Sequence, residues 1–307
     1  MHLIIAHASL PQAASGLDLP VLQRLLQRLS PDPVQDHPEL DPAQPHERRL
    51  AQALGWHEAD GLPLALWQNA EPDGPPSAWL SPCHWQIGMD QVIMLDPALL
   101  ALSETESRTL LAAIAPLLQD TGLHIEWHSA WRWRLRGEPL RGLICPSPER
   151  VIGRPLGTWI DAEHWPVWWR RLHSELQMLL YTLPLHDERL AARQWPVNAL
   201  WLHGSGAWPR GRTPHADVVL EERLLRPALH GDLPGWQAAW QAIETEHLAP
   251  LDLRGLRDFT LTLCSDTRSQ AWRMPAPGLW SGLRQRFGRR NTEQALRALQ
   301  PLPSPAE

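Results

Sequence analysis

The chain has 307 residues, 43% of them hydrophobic, which suits one large domain or a core domain carrying an insert. All 28 basic residues are Arg, so chemistry that depends on a phosphate-gripping, Schiff-base or ion-pairing lysine is excluded. A formal charge of -6 argues against a protein that coats nucleic acid, because counterion release needs a basic face.

Leu3 to Ala8 reads as a buried first strand, and Val21, Leu22, Leu25, Leu26 and Leu29 recur at helical spacing after it. A Pro- and Asp-rich loop follows, then a helix from about Glu47 to Gly55. Asn69 to Pro76, NAEPDGPP, marks a boundary. Beyond it, Ser103 and Glu106 form a capping box ahead of Leu110, Leu111, Ile114, Leu117 and Leu118. The run LHIEWHSAWRWRLRG then alternates. It sets Leu123, Ile125, Trp127, Trp131, Trp133 and Leu135 on one face of a strand and His124, Glu126, His128, Arg132, Arg134 and Arg136 on the other. That polar face reads as solvated; His124, Glu126 and His128 lack a fourth metal ligand.

A Trp- and Leu-rich helix is expected from Asp161 to about Leu183, and its Trp165 to Trp169 segment is a candidate docking face. Asn198–His203, Ala216–Leu220 and Phe259–Cys264 read as strands, with helices over Glu221–Leu229 and Gly235–His247. Short apolar strands separated by helices predict a mostly parallel sheet covered on both faces, interrupted by a smaller α+β insert. The expected division is a core of 1–76 and 151–279, an insert of 77–150, and an Arg-rich tail of 280–307 that includes Arg284, Arg286, Arg289 and Arg290. Cys83, Cys145 and Cys264 form no CxxC pair and predict reduced thiols. No segment approaches the roughly 18 apolar residues of a membrane helix, so a cytoplasmic protein is expected.

Leu180 to Pro209 resembles a stretch of archaeal-type cofactor-independent phosphoglycerate mutases in which a His-Pro-x-Asn turn leads to a strand ending in a Gly-x-Gly loop. Asn198, Trp201, Gly204 and Gly206 stand at matching places. LSETESRTLLAAI with LHIEWHSAWRWRLR resembles the lid of that family, and FTLTLCSDTRS resembles the strand ending in its Asp-His pair. HWQIGMDQVIMLDPALLALSE, ELQMLLYTLP and VNALWLHGSG resemble RpfE-type proteobacterial regulatory proteins.

The first resemblance implies an α/β core of alkaline-phosphatase type with an inserted lid, two metal ions and a phosphorylated Ser. The matching positions depart from it. His7, Ala8 and Ser9 replace the first metal-binding Asp-Gly; Pro45, His46 and Glu47 replace the nucleophile; Asp266 and Thr267 replace Asp-His. The family's His-Pro-x-Asn reads Leu183, Pro184, Leu185, His186, and its Asp-Glu-Ala-x-His has no counterpart. Asp266 is thus a vestigial metal candidate, with His7 and His203 as weaker ones.

The implied protein is a degenerate, non-catalytic relative with a regulatory role. It would bind a small anion or a protein partner but no nucleic acid, with Arg132, Arg134 and Arg150 facing the anion and Asn198, Gly204 and Gly206 completing the ligand-binding set. The alternative is a divergent phosphatase or phosphomutase using manganese or zinc at a reduced site. Ser9, Ser205 or Ser265 is its nucleophile only if a base and an oxyanion hole stand beside it.

Overall fold

A computed structural model describes residues 1–10, 17–56, 61–160, 165–209, 217–251, 258–275 and 291–300. The chain divides into two units, Met1–Leu54 with His215–Glu307, and Gly55–Pro214.

The first unit is built on a six-stranded mixed sheet. His2–Ile5 lies parallel to both Val218–Glu221 and Thr260–Cys264. Thr260–Cys264 then pairs antiparallel with Arg268–Arg273, which pairs antiparallel with Ser30–Pro31 and Gln35–Asp36. The expectation of a mostly parallel sheet therefore holds only for three strands. The return strand, RSQAWR, is too polar to show the apolar run that marks a buried strand.

Alternation gives this sheet two covered faces. Leu3, Ile5, Leu261, Leu263 and Trp272 join a core with Leu22, Leu25 and Leu26 of helix Pro20–Arg28 and Trp236, Trp240 and Ile243 of helix Leu233–Ile243. Cys264 and Ser269 share the opposite face, where Arg49 of helix Pro45–Leu54 donates to Ser269 Oγ at 2.8 Å. Leu296 of helix Thr292–Ala298 and Leu299 at its C-terminal end are buried in this core. That part of the expected tail is thus a packed element; Arg284, Arg286, Arg289 and Arg290 lie outside the described residues.

The second unit holds a four-stranded antiparallel sheet ordered His124–Ser129, Arg132–Arg136, Ser77–Cys83, Ala199–Gly206. Two expectations are corrected here. Ala199–Gly206 is a strand, but it pairs antiparallel with Ser77–Cys83 rather than joining the parallel sheet. The unit therefore reaches beyond the expected 77–150 insert on both sides. The run from Leu123 to Arg136 is a hairpin, folding back between Ser129 and Arg132, rather than one strand. Alternation conceals such a turn, because opposite residues of an antiparallel pair share a face.

The capping box at Ser103 and Glu106 is present in both directions. Helix Val167–Thr182 lies within the expected span, whose residues 161–164 fall outside the described ones. In the Trp165–Trp169 segment, Trp165 and Trp169 are buried in an aromatic cluster with Trp85, Trp201 and His173, so these two rings serve the core. Cys83 and Cys264 are buried free thiols and Cys145 is half-buried. Among the described residues no helix is long and apolar enough to cross a membrane.

Candidate functional site

Strand ends in the parallel part of a sheet gather loops and helix starts at one edge, the usual place for ligands in open α/β sheets. Here the chain leaving His2–Ile5 threads between its neighbours. Ala6 N donates to Glu221 O at 2.9 Å and Ala8 N to Cys264 O at 2.6 Å. Between them His7 takes a left-handed φ of 50°. Trp236 Nε1 holds the bend by donating to His7 O at 2.9 Å, and Trp240 Nε1 donates to Ala8 O at 3.3 Å.

Helix Pro45–Leu54 opens at the same edge. Gln44 N donates to Glu47 Oε2 at 2.7 Å, satisfying a main-chain donor at the helix start, while Pro45 has no N–H to satisfy. This places His46 in the first turn, buried, with its ring centroid 6.1 Å from that of His7. His46 Nε2 stands 3.9 Å from Glu222 Oε1. The Gln44 side-chain amide is fully buried, and among the described residues neither its oxygen nor its nitrogen has a hydrogen-bond partner. A buried amide left in this way is costly, and such a group marks a place where a ligand or water completes the structure. Gln44 and Glu222 carry no sequence signal; only the pairing of the strand ends brings them to this edge.

Asp266 lies just past Thr260–Cys264 and is half-buried. The candidate hydroxyls are engaged with the main chain. Ser9 Oγ donates to Leu296 O at 2.6 Å, Ser205 Oγ to Leu143 O, and Ser265 Oγ to Arg268 O at 3.4 Å. Among the described residues no group of three His, Cys, Asp or Glu side chains is arranged to hold a metal ion.

The remaining candidates lie in the second unit. His203 and Ser81 are buried and bonded to each other, Nε2 to Oγ at 3.1 Å, and burial holds the imidazole well below its usual range and so neutral. Arg134, expected to face an anion, makes a bidentate pair with Glu71 at 2.7 and 2.8 Å, and Arg136 reaches the same carboxylate at 3.2 Å. Glu71 comes from the loop read as a boundary, and its bonds to Arg134 hold its carboxyl below the usual range.

Arg132 donates to Gln68 Oε1 at 3.3 Å and lies over the Trp131 ring at 4.2 Å. Arg150 is wholly buried. Asn198 acts as a brace: its Oδ1 accepts from Trp85 N at 2.7 Å and its Nδ2 donates to Trp85 O at 3.0 Å. Gly204, at φ 60°, lets the strand lie against helix Leu64–Gln68; a Cβ there would meet Leu64 Cβ at 3.2 Å. Gly206 pairs with Ser77 and bridges to Gly61. His124, Glu126 and His128 are exposed as expected, with Glu126 3.3 Å from Arg136 and the His128 ring tilted against that of Trp79, their centroids 4.8 Å apart.

No family profile and no curated protein matches this chain. Among solved structures it is similar to a cofactor-independent phosphoglycerate mutase from Thermoplasma acidophilum DSM 1728, at 12% identity and TM-score 0.34, over 88% of this chain and 89% of that one. It is also similar to the PH0037 protein from Pyrococcus horikoshii, at 11% identity and TM-score 0.46, over 90% of this chain and 87% of that one.

Proposed function

We propose that this chain is a phosphoglycerate-mutase-like protein that binds a small anion at the His7–His46 edge of its mixed sheet and acts in regulation without transferring phosphate. The observation that carries this reading is the use of the hydroxyls. Ser9, Ser205 and Ser265 each donate to a main-chain carbonyl, and the place that the sequence resemblance gives to the nucleophile holds His46. Two imidazoles, a helix start and a buried Gln44 amide suit a phosphate or carboxylate, which gains most when the imidazoles carry protons.

Calorimetric titration with inorganic phosphate and with 3-phosphoglycerate tests this. The expected result is binding that is weakened at least tenfold in His46→Ala, with no turnover in manganese or zinc. A second reading is a reduced-site phosphatase, favoured by the 6.1 Å spacing of the two histidine rings. It requires hydrolysis of a phosphomonoester that depends on manganese or zinc and disappears in Asp266→Ala; such activity would overturn the first reading.

A further inference from the structure

The two faces of the mixed sheet differ in kind. One buries Leu3, Ile5, Leu261, Leu263 and Trp272 in the core of the first unit. The pairing register puts His2, Thr262, Cys264, Ser269 and Arg273 on the other, alongside Ile4 and Ala271, and helix Pro45–Leu54 lies against that face. A sheet face covered by a helix ordinarily carries apolar side chains, so this polar set calls for a reason.

Arg49 is the buried cation of the layer, 5% exposed. Its Nε donates to Ser269 Oγ at 2.8 Å, one terminal nitrogen to Ser269 O at 3.4 Å, and the other to Gln52 Oε1 at 3.3 Å. All three acceptors are neutral, and among the described residues no carboxylate pairs with this guanidinium. The acids at this end of the sheet are committed elsewhere or exposed. Asp32 accepts from Arg273 Nε at 2.9 Å, while Asp217 and Asp258, whose main-chain oxygens accept from His2 N and from the terminal ammonium, lie in water. The Cys264 thiol cannot supply the charge either, because burial pushes its pKa up to about 12. A buried charge left without an opposite charge is costly, and proteins normally answer it.

Ser269 fills the side of the guanidinium fork that includes Nε. The edge formed by the two terminal nitrogens meets only Gln52 Oε1 in addition, through a long bond from an exposed residue. That edge has the planar, two-donor form that carboxylate and phosphate oxygens accept. Two imidazoles belong to the same layer: His2 Nε2 is 2.8 Å from Thr262 Oγ1, and His37 Nε2 is 2.8 Å from Ser269 Oγ. Burial first, then the charges of Arg273 and Arg49, push the His2 pKa down to about 4, the mark of a positive local field. Arg49 stands one helical turn from His46 and bonds to Ser269, whereas His46 faces His7 and Glu222. We propose that this layer is a second anion site, separate from the His7–His46 edge, in which the carboxylate or phosphate group of a small molecule displaces Gln52 Oε1 from the terminal nitrogens of Arg49.

Nuclear magnetic resonance of the His2 ring in the full chain, assigned with His2→Gln, tests this during titration with sodium phosphate or sodium succinate, sodium chloride holding the ionic strength constant. The expected result is a saturable shift of the His2 signals with at least one of the two anions, kept in His46→Ala. The half-saturating concentration should rise at least tenfold in Arg49→Lys, which keeps the charge and loses the fork, and saturation should vanish in Arg49→Met. A response to one anion alone tells a phosphate ligand from a carboxylate ligand. Arg49→Met removes an unanswered buried charge and keeps most of the stem, so its unfolding midpoint in anion-free buffer is expected to be no lower than that of the parent. If Arg49→Met does not fold, Arg49→Lys decides. A parent whose His2 signals saturate with neither anion overturns the proposal, and so does half-saturation of Arg49→Lys at the parental concentration. A response lost in His46→Ala and kept in Arg49→Met also overturns it, because the anion then sits at the first site alone.

Discussion

His173 sits in the aromatic cluster of the second unit, 4.8 Å from the Trp85 ring and 4.7 Å from that of Trp165, and its Nε2 donates to Leu200 O at 3.0 Å. Burial pushes its pKa down to about 4, although the Leu200 bond opposes the shift. A histidine whose folded pKa lies below its unfolded value near 6.5 takes up its proton more readily when unfolded. Its contribution is therefore complete above pH 6.5 and is lost as pH falls toward 4, on the order of 3 kcal/mol across that window. His173→Gln keeps a donor for Leu200 without a titrating group. Its melting temperature should decline less than that of the parent between pH 6.5 and 4, as read by thermal melts at matched ionic strength. An equal decline in both proteins would show that His173 does not carry the effect.

Arg134 and Glu71 give a second residue-scale prediction. Arg134 is buried while the Glu71 side chain is 37% exposed, so the two partners are not equivalent. Removing the acid strands a buried guanidinium, whereas Arg134→Met removes the charge and keeps most of the stem. Glu71→Ala is expected to cost about 1 to 2 kcal/mol more than Arg134→Met by denaturant unfolding. A smaller loss in Glu71→Ala would show that Arg134 has enough water or other partners without it. The sequence places Arg134 on the polar face of a strand but says nothing of Glu71, sixty-three positions earlier in a Pro-rich loop. A charged residue on an alternating strand reads as solvated until its partner is known, which is why Arg134 looked available for an anion.

At the scale of elements, the legible features were those set by local chemistry. The helix at Pro20–Arg28, the capping box at Ser103, and the strands near Leu3, Asn198 and Phe259 follow from spacing within a few residues. Partner choice was not legible. Ala199–Gly206 opens on the apolar run Ala199–Leu202 and is buried throughout, a pattern that fits a parallel strand or any strand buried on both faces. Its burial comes instead from helix Leu64–Gln68 on one side and the aromatic cluster on the other. The Gly-Ser-Gly end matters for that reason. At Gly204 the left-handed φ would strain any side chain, and a Cβ would come within 3.3 Å of Trp79 Cδ1 as well as against Leu64. Gly204→Ala should destabilise the protein by about 2 kcal/mol, from the backbone and the overpacking together. An unchanged denaturation midpoint would mean that helix Leu64–Gln68 moves aside at no cost.

For the whole molecule, the division into units follows from where apolar side chains meet rather than from changes in composition along the chain. The two hydrophobic cores share no residue: one draws on positions 78 to 202, the other on 3 to 29 and 224 to 299. A single contiguous segment, 55 to 214, therefore supplies its whole sheet and its whole core, while the first unit needs both ends of the chain. A core assembled from one stretch has all its residues when the rest of the chain is removed. Fourteen of the 18 tryptophans lie in this segment, so near-ultraviolet circular dichroism and fluorescence report chiefly on it. The fragment 55–214 is expected to give a sharp near-ultraviolet spectrum of its own and a single cooperative melt. The full chain is expected to show two calorimetric transitions, one matching that of the fragment. A fragment without fixed aromatic signals would mean that the second core, although complete in its residues, forms only when both ends of the chain are present.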